Sequence, residues 1–247
     1  MSNVSYSRGK ARIGVFVPFT NVNLEADMAL LRPPGVSFHF QRLGGYDRDE
    51  VPDSEQMAGL GAADIDQDLR MLEGVNPDAI LYGCTSATLA HGTVFDQDLS
   101  AKIKAGSGAI SVTAAGALVH ALSSLGVKKI GFTSPYVKAL NDDAVSFLAD
   151  SGFETVSRAD YPKDLGNYGQ GALLPDQIID HALGADSEAA EALVLSCTDM
   201  RSVECVNQLE EKVGKPVVCS NQAMLFQSMQ ALQLDLSAVD CGRLFRL

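Results

Sequence analysis

Apolar residues along this chain gather in short, nearly continuous runs separated by longer stretches with helical spacing. The runs are ARIGVFVP, VSFHFQRL, DAILYGC, GAISV, KKIGFTSP, GFETVSRA, EALVLSC and PVVCS. They are rich in Ile, Val and Phe and lack the alternation of a half-exposed strand, which is the pattern of parallel strands buried on both faces. Between them the apolar spacing predicts helices over 24–31, 63–72, 113–125, 137–151, 175–183, 203–213 and 222–232. Strand and helix in alternation imply right-handed crossovers, hence an α/β fold of open parallel sheets with helices on both faces.

The series also repeats. RIGVFVP at 12–18 is echoed by KIGFTSP at 129–135, and each is followed by an Asn-bearing acidic segment, FTNVNLEADM and YVKALNDDAV. Later in each half an apolar run ends in Cys-Thr. Two related halves are therefore expected, one covering 1–115 plus 219–247 and the other 116–218. The strand PVVCS and the helix after it are expected to return to the first half. The irregular stretch at 161–174, YPKDLGNYGQGALL, has the Gly-rich polar character of a loop over a site.

Composition narrows the function. The chain has 247 residues, no Trp and a formal charge of -12. That acidity repels phosphate backbones and anionic membranes, so neither nucleic acid nor a lipid surface is an expected partner. An anionic substrate would need a local site of backbone N–H groups or a few Arg. No run approaches the ~18–20 apolar residues of a membrane span. The basic start before IGVFVP imitates a secretory leader, but Gly14 and Pro18 break the run and no small-residue cleavage site follows. Five cysteines, an odd number with none in a C-x-x-C pair, point to free thiols in a reducing cytoplasm. The four His are scattered, so no metal site is expected. Neither Gly44-Gly45 nor the glycines at 106 and 108 form a G-x-G-x-x-G turn, so no nucleotide cofactor is expected either.

The chemistry then rests on Cys84 and Cys197. Each follows an apolar strand and a small residue, and each precedes Thr. Ligands in open α/β sheets bind beyond the carboxyl ends of the strands, where this pattern places both thiols. Helices expected to start at 85–87 and 199–203 would lower the thiol pKa values and make a small anion site. A thiolate so placed serves as a nucleophile or as a base toward a carbon acid. Asp199, two residues from Cys197, works against a thiolate there. Cys84 is thus the expected thiolate and Cys197 the expected proton donor. Cys205, Cys219 and Cys241 read as small buried hydrophobes.

The segments VPFTNVNLEADM, YGCTSATLAHG, FTSPYVKALND, the NYG of the irregular loop, LSCTDMRS and KPVVCSNQAML together resemble the aspartate/glutamate racemase superfamily, in particular its maleate cis-trans isomerase and arylmalonate decarboxylase branch. The resemblance covers almost the whole chain. It implies two Rossmann-like domains related by a pseudo-twofold, with the active site in the cleft between them and one cysteine from each side. It also implies cofactor-free chemistry. In the racemases two thiols take and return a proton on opposite faces of a carbon. In the isomerase branch one cysteine adds to the double bond, and rotation and elimination follow. The decarboxylases carry Gly in place of the first cysteine, so this chain departs from their pattern.

Carried over residue by residue, the resemblance makes Cys84 the nucleophile and Cys197 the proton donor and acceptor. It assigns Asn21, Tyr136 and Asn167 to substrate contact, with Thr85, Ser86 and Thr198 offering donors to carboxylate oxygens. The implied function is cis-trans isomerisation of maleate or a similar small dicarboxylate. Racemisation of an acidic or N-acylated amino acid is the alternative, and a non-catalytic carboxylate-binding protein the third reading. Family members are commonly dimers, which implies a homodimer. Arg201 is open between a substrate carboxylate, Asp199 and a neighbouring Glu. His91 and His120 read as structural.

Overall fold

A computed structural model describes residues 9–44 and 52–247. Residues 1–8, part of the leader-like start, and Gly45 lie outside them. The first sheet contains β1 (Ala11–Pro18), β2 (Val36–Leu43), β3 (Ala79–Tyr82) and β4 (Ile110–Thr113) in the order β2-β1-β3-β4. The second contains β5 (Lys129–Ser134), β6 (Glu154–Asp160), β7 (Ala192–Leu195) and β8 (Val217–Cys219) in the order β6-β5-β7-β8. All pairs are parallel. The second order is the first with every strand number raised by four, so the echo in the sequence is a repeated topology. Register repeats as well: Ile13 lies opposite Ala79, and Ile130 opposite Ala192. The protein is thus an α/β fold of two Rossmann-like parallel sheets.

The central strands are apolar for a plain reason. Ile13, Val15, Phe16 and Val17 of β1, and Ala79 to Tyr82 of β3, have no solvent exposure, because helices cover both faces of the sheet. Helices α1 (Leu24–Leu31), α2 (Ser54–Ala62), α3 (Asp66–Glu73), α4 (Thr85–Leu89) and α5 (Gly92–Ser107) belong to the first half. α6 (Ala114–Ser124) follows β4 and leads into the second half. There α7 (Lys138–Asp150), α8 (Gly166–Gly169), α9 (Pro175–Leu183), α10 (Val206–Val213) and α11 (Ser220–Ala231) follow.

Several boundaries correct the sequence reading. The helix expected over 63–72 is α3, which starts at Asp66; α2 before it went unanticipated and starts at Ser54, where Asp53 Oδ1 accepts the Gln56 N–H at 2.9 Å. α5 went unanticipated. The stretch expected over 203–213 opens as a 3₁₀ turn, Val203–Cys205, before α10. The strand PVVCS pairs with β7 in the second sheet. The chain crosses over immediately after it: α11 packs on α6, α1 and β4, while α6 reaches β8. α11 starts at Ser220 because Gln222 Oε1 accepts the Cys219 N–H at 3.1 Å. This exchange of helices holds the carboxyl ends of both sheets against one another. Among the described residues no helix is long and apolar enough to cross a membrane.

Candidate active site

The carboxyl ends of β1, β3, β5 and β7 converge on one small cleft. The first half contributes Pro18, Thr20 and Asn21 after β1, Pro52 and Met57 at α2, and Cys84 and Ser86 at α4. The second contributes Tyr136 and Leu140 after β5, Asn167 and Gln170 at α8, and Cys197, Thr198 and Asp199 after β7. Both thiols therefore face the same space from topologically equivalent positions. Of the eight residues singled out in the sequence, seven line the cavity. Thr85 stands behind the wall, where its hydroxyl donates to Ser220 Oγ at 2.9 Å and meets the Tyr136 hydroxyl.

Cys84 ends the extended backbone of β3 and is the residue from which α4 starts. Its sulfur accepts the N–H groups of Ser86 and Ala87 and lies 3.7 Å from Ser86 Oγ. Ser86 Oγ also donates to Met57 Sδ at 3.1 Å, which ties α2 to the thiol. Gly83 sets the approach. A side chain there would sit 2.5 Å from the Phe16 carbonyl oxygen and 2.3 Å from Leu24 Cδ2, so only Gly lets β3 deliver Cys84 this close to β1.

Cys197 is held differently. The helical segment after it starts only at Val203, as a 3₁₀ turn, so no helix N-terminus meets the sulfur. The thiol is served by loop amides instead: Asp199 N–H donates to Cys197 Sγ at 3.2 Å, and Met200 N–H and the Tyr136 hydroxyl also donate to it. Cys197 Sγ is 3.7 Å from Gln170 Oε1. Asn167 and Gln170 are three apart along α8, which turns both toward the cavity while Tyr168 between them is more than half exposed. Gln170 was missed in the sequence, where an irregular Gly-rich stretch gave no periodicity to single it out.

Burial overrides the expected lowering of both thiol pKa values. Desolvation pushes Cys84 up, against the opposing N–H groups of Ala87 and Ser86 and the Ser86 hydroxyl. Cys197 is pushed up to about 12, first by desolvation and then by the Asp199 carboxylate, against the N–H groups of Asp199 and Met200 and the Tyr136 hydroxyl. The Asp199 carboxylate acts only weakly on Cys84 and mainly on Cys197. Burial and the two neighbouring sulfurs raise Tyr136 well above its ordinary value, so it stands in the cleft as a neutral donor.

The polar neighbours join the two halves. Asp199 Oδ1 accepts the N–H groups of Val22 at 2.8 Å and Asn23 at 3.1 Å, and Asn23 Nδ2 donates to the carbonyls of Asp199 and Gly171. Thr198 Oγ1 donates to the Gly83 carbonyl at 2.8 Å, so its proton serves the fold and is not offered to a ligand. Asn21 Oδ1 accepts the N–H of Asn23 and of Leu24, the first residue of α1, while its amide nitrogen reaches Thr198. Arg201 pairs with Glu204 at 2.6 Å. His91 meets the Ala58 carbonyl at 2.6 Å and stacks on Phe95, and His120 meets Gln230 Oε1 at 2.7 Å. Among the described residues no group of three or more His, Cys, Asp or Glu side chains is arranged to hold a metal ion.

Comparison with known proteins agrees with this geometry. The chain is 29% identical over 248 residues to a maleate isomerase of Nocardia farcinica, covering 96% of each chain. It is 29% identical to a maleate isomerase of Pseudomonas putida, covering 91% of this chain and 92% of that one. Among solved structures it matches a cysteine-to-serine variant of the Nocardia farcinica maleate cis-trans isomerase with a covalently bound succinylcysteine intermediate. The TM-score is 0.87 at 27% identity, over 96% of this chain and 98% of that chain. The pattern of the arylmalonate decarboxylase family matches residues 13–245, and the chain belongs to that family.

Proposed function

We propose that this protein is a cofactor-independent isomerase that converts a small cis-dicarboxylate, maleate or a close relative, into its trans isomer with two cysteines. The observation that carries the reading is the pair of thiols, Cys84 and Cys197, facing one cavity from equivalent ends of a doubled fold. The matched relatives are named maleate isomerases, and a solved variant of one of them holds a succinyl group on cysteine. The racemase alternative has no comparable support. Because Cys84 is present where the decarboxylases carry Gly, the two-thiol chemistry is favoured within the family.

The steps follow from the geometry. Cys84 in its thiolate form adds to one olefinic carbon, and the π electrons move to the other carbon. Fixed N–H donors at α4 and in the loop after Cys197 oppose the charge that spreads into the adjacent carboxylate, as in an oxyanion hole. Cys197, held protonated by burial and by Asp199, gives its proton to that carbon. The former double bond is now single and rotates. Cys197 as thiolate takes the proton back, the C–S bond to Cys84 breaks, and the trans product leaves. Asn21, Asn167, Ser86 and Tyr136 are placed to hold the carboxylates as neutral donors. Five free cysteines fit a reducing cytoplasm.

The test is an ultraviolet absorbance assay with maleate at neutral pH. Turnover is expected in the wild type and is expected to vanish in Cys84→Ala and in Cys197→Ala. A wild-type protein inert toward maleate, but able to exchange the α-hydrogen of an acidic amino acid with solvent, overturns the reading.

A further inference from the structure

The cleft that would receive a dianion contains a carboxylate. Asp199 is 7% exposed and lines the cavity; among the described residues lining it there is no Lys or Arg. Arg42 stands close by, but its Nη1 donates to the carbonyls of Phe19 at 3.2 Å and Asn21 at 2.8 Å, and its Nη2 pairs with Glu25 at 2.7 Å. Its charge is already partnered. Other ionisable groups around Asp199 bring no spare positive charge. Asp27 lies on α1, Arg201 is paired with Glu204, and Cys84, Cys197 and Tyr136 share the cavity. A substrate with two negative charges would therefore meet a third one across a buried space, where like charges repel more strongly than in water.

We propose that binding of a dianionic dicarboxylate in this cleft is coupled to uptake of one proton by Asp199. The inference rests on the dicarboxylate reading above. The carboxyl group is built for two protonation states. Among the described residues its hydrogen bonds from Val22, Asn23 and the Asn23 side chain fall on Oδ1, which leaves Oδ2 to carry the proton without breaking them. Oδ2 lies over Gly171, where an added side-chain carbon would be 2.9 Å from it, so the space is kept by glycine. Burial, against these N–H groups, already brings Asp199 to about 6, and an incoming dianion raises it further. The balance is simple: carboxylate, dianion and one proton from solvent give a complex with a neutral Asp199.

The experiment is calorimetric titration with succinate, which has the two carboxylates and no double bond for Cys84 to attack. It is run at pH 7.5 in buffers of different ionisation enthalpy. Proton uptake is the slope of observed enthalpy against buffer enthalpy. A slope approaching one proton is expected for the wild type and a slope near zero for Asp199→Asn, which keeps the Oδ1 acceptor. Between pH 7 and 8, wild-type affinity is expected to fall about tenfold per pH unit, while that of the variant stays flat. Binding by the wild type with no proton uptake, or the same uptake in Asp199→Asn, overturns the proposal. If neither succinate nor maleate binds the wild type, the dicarboxylate reading itself fails and the proposal with it.

Discussion

Asn21 and Thr198 meet across the two halves of the fold: Asn21 Nδ2 donates to Thr198 Oγ1 at 3.1 Å, and Thr198 in turn donates to the carbonyl of Gly83, the residue before Cys84. One short chain of bonds thus connects the segment after β1, the loop carrying Cys197 and the peptide carrying Cys84. The cleft is held together by the same polar side chains that line it, so changes there will affect stability and turnover together.

Asn21 shows this most directly. Its Oδ1 holds the N–H groups of Asn23 and Leu24 at the start of α1, at 3.1 and 2.9 Å, and its amide nitrogen holds Thr198. Asn21→Ala removes both functions and is expected to cost about 1–2 kcal/mol of stability as well as most of the activity. Asn21→Asp keeps the acceptor for α1 but places a negative charge toward the substrate. It loses the bond to Thr198 and buries a charge at a site 3% exposed, so it is expected to lower stability as well as to raise KM sharply. Thermal melts beside steady-state kinetics check the pair; equal melting temperatures for Asn21→Ala and wild type would refute the capping role.

Gly83 makes a second, steric prediction. An added Cβ would lie 2.5 Å from the Phe16 carbonyl oxygen, and backbone in the centre of a sheet does not yield. Gly83→Ala is expected to cost about 1–3 kcal/mol or more, and to displace Cys84 from the cavity. Chemical denaturation gives the first quantity and turnover at a temperature where the variant is folded gives the second. Full activity with unchanged stability would contradict the packing described for β1 and β3.

What could be read from the sequence divides along physical lines. β1, β2, α1 and α9 fall where apolar runs and helical spacing placed them; β1, α1 and α9 supply core side chains, whereas in β2 only Val36 and Leu43 are buried. α5 was invisible, since its buried residues over sixteen positions are only Asp96, Leu99 and Ile103, too thin a stripe to register. The helix expected after Cys197 is delayed to Val203 for a tertiary reason. Asp199 accepts from Val22 and Asn23, residues 177 and 176 positions away in the chain, and no local pattern carries that information. The two thiols were legible because duplication repeated their context. Gln170 was not, and neither was the reversal of the thiol pKa argument, which depends on burial and not on neighbours in sequence.

The division of labour between the thiols predicts where an adduct will form. Cys84 receives donors at its sulfur from Ser86 and Ala87, whereas Cys197 carries the burden of Asp199. On incubation with maleate, Cys197→Ser is expected to accumulate one succinyl group on Cys84, because slow proton return traps the intermediate. Cys84→Ser is expected to gain no mass. Intact-mass spectrometry followed by peptide mapping reads both. An adduct found on Cys197 in the Cys84→Ser protein, with none in Cys197→Ser, would reverse the assignment.

Asp27 offers a prediction that does not depend on substrate. It lies on α1 at 2% exposure and accepts the Asn221 amide at 2.7 Å, while Asn221 also donates to the Thr198 carbonyl at 3.0 Å. Burial, opposed by that single amide bond, raises its carboxyl to about 7, with Glu204 and Asp199 adding to the rise and Arg201 opposing it. An unfolded Asp titrates near ~3.9. Between roughly pH 4 and 7 the folded chain therefore keeps a proton that the unfolded chain has lost, so stability falls as pH rises. The contribution of the neutral carboxyl is fully present below about pH 4 and is gone once pH has passed through the folded value. Asp27→Asn has no charge to bury and can still accept the Asn221 amide through its side-chain oxygen. Its melting temperature is expected to exceed that of the wild type at pH 8, by an amount on the order of a few kcal/mol in stability, and to approach it at pH 4.5. Asp199 also titrates in this range in both proteins, so only its weaker coupling to Asp27 enters the difference. Melting curves of the two proteins at both pH values decide the matter: a gap of the same size at pH 4.5 and pH 8 would mean that Asp27 does not take up a proton on folding.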